Sequence, residues 1–178
     1  MLPLGISVAS STRIGNCLGA QCPNRARFAS RAALILALAF ASFNSCLLIA
    51  VRSHWGYLWT NDPTVVTIVQ DILPLAAVFQ FSDALGAVGG GILRGCGHQK
   101  TGAMINIFGY YVLGLPVGVL LAFKAGFGLM GLWLGLTCGI FIVSCVLMMI
   151  IFRMDWILEA DRALDLLDEK DDFVQDAV

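Results

Sequence analysis

Four runs of about twenty predominantly apolar residues, at 32–51, 72–93, 103–123 and 129–152, constrain this chain more than any other feature. At 1.5 Å of rise per residue, twenty helical residues extend roughly 30 Å, the thickness of a bilayer's hydrocarbon core. In each run the apolar residues surround the axis instead of forming one stripe, as helices in contact with lipid require. Of the 178 residues, 58% are hydrophobic and 13% charged, and a soluble domain of this size needs more charge to cover its surface. The expected fold class is an all-α membrane protein: a polytopic helix bundle with four complete transmembrane helices.

The beginning is different. Residues 1–12 are apolar and small, but Arg13 follows, leaving only about 18 Å of helix before the first charge. That is too short to span alone. A secretory signal is disfavoured because no basic residue precedes the short apolar part. Residues 1–19 therefore read as the end of a truncated helix that starts upstream of Met1.

Charge is distributed unevenly. Nine of the twelve acids fall at or after Asp155, whereas the connections carry mostly bases. If the loop 22–31 is cytoplasmic, that side receives Arg13, Arg25, Arg27, Arg31, Arg94, Lys100, Arg153, Arg162 and Lys170. The opposite side receives only Arg52 and Lys124. This satisfies the positive-inside rule and makes the C-terminus cytoplasmic. Residues 154–178 then form an acidic cytoplasmic tail, in which Leu164, Leu166 and Leu167 could form a short surface helix but are expected to fray. The six cysteines lie in spans or at their cytoplasmic ends, where neither disulfides nor zinc-site spacings are indicated.

Between the runs, 25–31 reads as a basic loop. The connection 52–71 carries His54, Trp55, Tyr57 and Trp59, an interfacial aromatic cluster in which His54 is a headgroup-level residue, not a ligand. Asn61-Asp62-Pro63 reads as a helix start with Asp62 at the N-cap and Pro63 at the first helical position. Pro74 lies near the start of the third segment, and Gly89-Gly90-Gly91 makes its far end either flexible or tightly packed. Pro116 should kink the fourth segment. Small residues recur at four-residue spacing in Gly15/Gly19, Gly86/Gly90, Gly114/Gly118 and Gly131/Gly135/Gly139, a pattern that lets membrane helices approach closely.

Asp83 is the clue to function. It lies halfway along 72–93, near the membrane midplane, where a charged group costs about 2.5–3.5 kcal/mol on insertion scales. On a helical wheel Asp83 and Gln80 share a face with Ala76, Gly86, Ala87 and Gly90, opposite the bulky Val78, Phe81, Leu85, Val88 and Ile92. Asp83 should therefore face the bundle or a wet cavity. It is either a protonated carboxyl bonded to a neighbouring helix or a carboxylate that alternately binds a proton and a cation. In the fourth segment Asn106 and Tyr110 share a face, either to line that cavity or to bond between helices, while Tyr111 points elsewhere. An aromatic ring near a carboxylate suits an organic cation.

Several stretches together resemble one family. These are Leu4-Gly5-Ile6-Ser7-Val8-Ala9-Ser10 with Arg13-Ile14-Gly15-Asn16, and Gly90-Gly91-Ile92-Leu93-Arg94-Gly95-Cys96-Gly97-His98-Gln99-Lys100. Asn106, Tyr110-Tyr111 and Gly114-Leu115-Pro116 follow, then Gly128-Leu129-Met130-Gly131-Leu132-Trp133. In this order they resemble signatures of the multidrug and toxic compound extrusion (MATE) family, in its eukaryotic style. The resemblance implies a two-lobed, twelve-helix fold, of which residues 1–153 are part of the C-terminal lobe, from an incomplete eighth helix through the twelfth. It also implies a secondary antiporter that exports organic cations, drugs or metabolites in exchange for protons or sodium, by alternating access. Asp83 then occupies the acidic position of the tenth helix as the protonatable cation site, with Gln80, Asn106 and Tyr110 beside it. Gln80 stands where some relatives have histidine. The implied partners are the lipid bilayer, the xenobiotic or organic cation, the coupling ion and the N-terminal lobe, in a plasma or vacuolar membrane.

Two other readings stand beside this one. The chain is a truncated fragment without transport activity of its own, or a small structural or channel-like membrane protein that oligomerises through its glycine faces. No enzyme reading survives: there is no nucleophile–base arrangement, no metal-ligand cluster and no phosphate-binding glycine loop after a strand. No cofactor and no nucleic acid are expected.

Overall fold

A computed structural model describes the backbone of residues 2–176 and the side chains through residue 166. The expected all-α bundle forms. Helix α1 (Leu2–Gly19) is followed by α2 (Pro23–Trp55), a 3₁₀ turn (Gly56–Leu58) and α3 (Pro63–Gly95). A composite rod comes next: α4 (Gln99–Ile107), a π-helical stretch (Phe108–Gly114), α5 (Leu115–Val119) and a second π-helical stretch (Leu120–Lys124). Helices α6 (Gly128–Arg153) and α7 (Trp156–Asp176) complete the chain. The four units Pro23–Leu58, Pro63–Gly95, Gln99–Lys124 and Gly128–Arg153 are long and apolar enough to cross a membrane. Large apolar side chains such as Ile35, Val78, Phe123 and Phe141 stand exposed along them, as lipid contact requires.

Two helices are longer than their apolar runs. At 33 residues each, α2 and α3 extend about 50 Å, well past the hydrocarbon. The expected basic loop at 25–31 is in fact the first turns of α2, because Pro23 presets the helical φ at its start and the long arginine stems need no loop to reach water. The actual turn is short, with Gln21 in the left-handed region at φ 54°. At the other end Asp62 caps α3 as expected, its carboxylate accepting from the Thr64 amide at 2.9 Å. This early start leaves Pro74 well inside the helix, not near its beginning.

The core joins five helices, with Ile14 and Leu18 of α1, Ala37 of α2, Val88 and Ile92 of α3, Leu147 of α6 and Trp156 of α7 all buried. The bulky side of α3 thus meets other helices at Val88 and Ile92 and is exposed at Val78. Of the three consecutive glycines, Gly89 and Gly91 are tightly packed, whereas Gly90 faces open space. A Cβ on Gly91 would meet Ser7 Cα at 2.9 Å, and one on Gly95 the Ser11 carbonyl at 2.7 Å. Gly139 of α6 lies equally close to the rod, where a Cβ would stand 2.7 Å from the Gly109 carbonyl. Pro116 finds its accommodation in the widened π turn before it, which absorbs the backbone bond that proline cannot make.

The acidic tail does not fray where it is described. Asp155 caps α7, accepting from the Ile157 amide at 3.0 Å, and Trp156, Glu159 and Ala160 are buried. Glu159 pairs with His98 Nε2 at 2.9 Å and accepts from Arg162 Nη1 at 3.2 Å. The Gln21 amide donates to the Ala160 carbonyl at 2.5 Å. Leucine spacing alone missed this docking because the anchoring groups are a carboxylate and a backbone carbonyl. Leu167 lies outside the described side chains. Replacing Glu159 with Ala leaves His98 unpaired and should speed amide exchange across 156–166 by about tenfold, read by mass spectrometry.

Cys96, just past α3, points its thiol at Met154 Sδ, 3.6 Å away. Burial, and then the nearby Glu159 charge, push that thiol up to about 12. At pH 8 it should hold roughly a thousandfold less thiolate than an unperturbed cysteine. Labelling by N-ethylmaleimide should therefore wait for unfolding, and fast labelling of the folded protein would contradict the packing.

Candidate functional site

Asp83 sits near the middle of α3 and lines a cavity of about 230 Å³. Gly86 and Gly90, one and two turns further along, form its floor, and a Cβ on either would meet nothing within 4 Å. These two glycines share the four-residue spacing of the packing glycines but leave room instead of permitting contact. The rod contributes Asn106 and Tyr110, and α6 closes the far wall with Ile140 and Val143. Local structure explains the rod's geometry. Asn106 lies in the last α-helical turn and donates to the Gly102 carbonyl at 2.9 Å, while Tyr110 lies in the π-helical stretch that follows.

Of the four residues singled out in the sequence, three meet at this cavity and one does not. Gln80 does not line it. Its Oε1 accepts from the Asn44 amide of α2 at 2.7 Å. The helical wheel places Gln80 near Asp83 in angle, but a neighbouring helix supplies its partner one turn away. Tyr111 is exposed and lines a separate apolar groove of about 520 Å³ between the rod and α6, which Asn106 and Tyr110 also border. Asn106 and Tyr110 thus separate the acidic cavity from the apolar groove.

Arg94 is a cavity residue that the sequence reading passed over as a cytoplasmic charge. The signal was available, since Arg94 lies eleven residues after Asp83, three turns on and on the same face. Its Nη2 donates to Ser7 Oγ at 2.9 Å, and that hydroxyl donates to the Ala87 carbonyl at 2.6 Å. Among the described residues, neither Asp83 nor Arg94 takes part in an ion pair. The cavity therefore carries a carboxylate, a phenol, an amide and a guanidinium within apolar walls.

A polar cavity lined by three helical units long and apolar enough to cross a membrane defines the class: a polytopic helical membrane protein with a binding space between its helices. More specifically, the chain belongs to the MatE family, whose model matches residues 1–120. It is 43% identical over 157 residues to human multidrug and toxin extrusion protein 1, covering 88% of this chain and 27% of that protein. It is 39% identical over 168 residues to Arabidopsis thaliana Protein DETOXIFICATION 16, covering 94% of this chain and 35% of the relative. The crystal structure of the eukaryotic MATE transporter AtDTX14 superposes with a TM-score of 0.85 at 34% identity, over 90% of this chain and 36% of that one. The chain thus spans about a quarter to a third of the length of its relatives. The family is one of transporters, not enzymes.

Proposed function

We propose that these helices form part of one lobe of a secondary antiporter that exports organic cations, drugs or metabolites in exchange for protons or sodium. The observation that carries this reading is the meeting of Asp83, Tyr110 and Asn106 around one cavity between the spans. A carboxylate that forms no ion pair among the described residues attracts a cation, an aromatic face adds to that attraction, and the amide offers a hydrogen bond. Protonation of Asp83 cancels the attraction and releases the cargo, which couples the two fluxes. The names of the human and Arabidopsis relatives support extrusion as the direction. The cavity of about 230 Å³ is small against the roughly 300–1,000 Å³ of drug-sized pockets. The remaining walls belong to a second lobe, and alternating access is the rocking of one lobe against the other. The protein is then multi-pass, in a plasma or vacuolar membrane, with its C-terminus in the cytoplasm.

The small cavity favours a second reading, in which these helices by themselves bind cations but do not move them. One experiment separates the two readings. Vesicles carry either the 178-residue chain or a chimera in which residues 2–153 replace the matching segment of the human relative. Uptake of a fluorescent organic cation is then driven by an imposed proton gradient or, in a parallel arm, a sodium gradient. Gradient-driven uptake by the chimera alone supports an exporter lobe that needs its partner. No uptake by either would sink the exporter reading.

A further inference from the structure

The exporter reading leaves Arg94 unused, although it lines the same cavity as Asp83. The guanidinium reaches back along α3 and is fixed by a relay: it donates to Ser7 Oγ at 2.9 Å, and Ser7 Oγ donates to the Ala87 carbonyl at 2.6 Å. Ser7 itself is buried and has no freedom to swing away, because α1 and α3 touch through Gly91 at this point. Asp83 lies one turn before Ala87, so the two charges stand roughly 10 Å apart on one face of one helix. One hydroxyl does not exhaust a guanidinium with five donors in a planar fork, a geometry suited to a carboxylate or phosphate.

We infer that Arg94 is a specificity-determining residue that receives the anionic end of an amphoteric substrate whose cationic end sits at Asp83. This deepens the exporter reading and rests on it. The preferred cargo is then a molecule carrying an ammonium and a carboxylate, sulfonate or phosphate about 10 Å apart, over a simple monocation of equal length. A lone cation gains attraction at Asp83 but feels the guanidinium as a like charge, whereas the amphoteric molecule matches both.

Two probes of equal length test this. One is n-octyltrimethylammonium; the other is 8-(trimethylammonio)octanoate, whose extended chain separates its charges by roughly 10 Å. Each competes with a fluorescent cation for gradient-driven uptake by the chimera described above, and the quantity read is the ratio of their inhibition constants. The wild-type ratio should favour the carboxylate-ended probe by about tenfold, the scale of one charge-assisted contact. Arg94→Gln should bring the ratio to about one, and Arg94→Lys should retain part of the preference. Ser7→Ala, which frees the guanidinium without removing it, should lower the preference by about threefold. Because the ratio is measured only on transporters that reach the membrane, a loss of yield does not mimic the result. Cation uptake with an unchanged ratio in Arg94→Gln would overturn the role of Arg94 and leave the exporter reading intact. Absence of cation uptake in the wild-type chimera would overturn both.

Discussion

Replacing Asp83 with Asn should reduce gradient-driven cation uptake to background while leaving membrane insertion intact. The two side chains have the same shape, so the walls of the cavity are undisturbed. The amide, however, carries no charge to attract a cation and cannot exchange a proton. Insertion should if anything improve, because the amide removes a charge that costs about 2.5–3.5 kcal/mol at mid-membrane. Asp83→Glu keeps the charge on a side chain one methylene longer, and Gly86 and Gly90 leave open space beside it, so substantial uptake should remain. The measurement is initial uptake rate per transporter, normalised to surface-labelled protein. Undiminished uptake by Asp83→Asn would remove the carboxylate from the mechanism.

Gly135→Leu should have the largest effect on folding. A Cβ on Gly135 would overlap the Gly118 backbone nitrogen and Cα, where α6 and the rod touch main chain to main chain. Neither backbone can yield without parting the helices, and membrane helices associate mainly through such close packing. Overpacking of this kind typically costs 1–3 kcal/mol and here should reach or exceed about 3 kcal/mol. Thermal unfolding in detergent, followed by loss of the monodisperse peak, is the readout. Gly86→Ala is the control: a methyl group there enters empty space and adds helix propensity, so its midpoint should match or exceed wild type. Equal melting of Gly135→Leu and wild type would contradict the contact.

The span count was legible because lipid imposes a length and a polarity that composition reveals directly. The Asp62 cap was legible for the same local reason, since Asp before Pro at the head of an apolar run satisfies the first free amides. That Asn106 and Tyr110 share a face followed from spacing within one helix, whereas their meeting with Asp83 was one of two arrangements the spacing left open. Gln80 shows where that reasoning stops, because its bond to Asn44 depends on which helix stands beside α3, a fact absent from periodicity. The glycine pairs show the same limit. Gly135 meets a backbone and Gly86 meets a cavity, though both sit in a four-residue repeat of small residues. The N-terminal ends of α2 and α3 also extend beyond their apolar runs, since a helix carries its own backbone hydrogen bonds into water.

Helix α7 has a mechanical corollary. Gln21 belongs to the hairpin joining α1 to α2, and His98 to the one joining α3 to the rod, yet their partners are adjacent residues, Ala160 and Glu159. Neither hairpin can drift from the other without stretching a bond to the same short stretch of chain. Displacement of one pair of helices at this end of the bundle is therefore delivered to the other within a single residue step. Through these two bonds the two hairpins should tilt together instead of shearing.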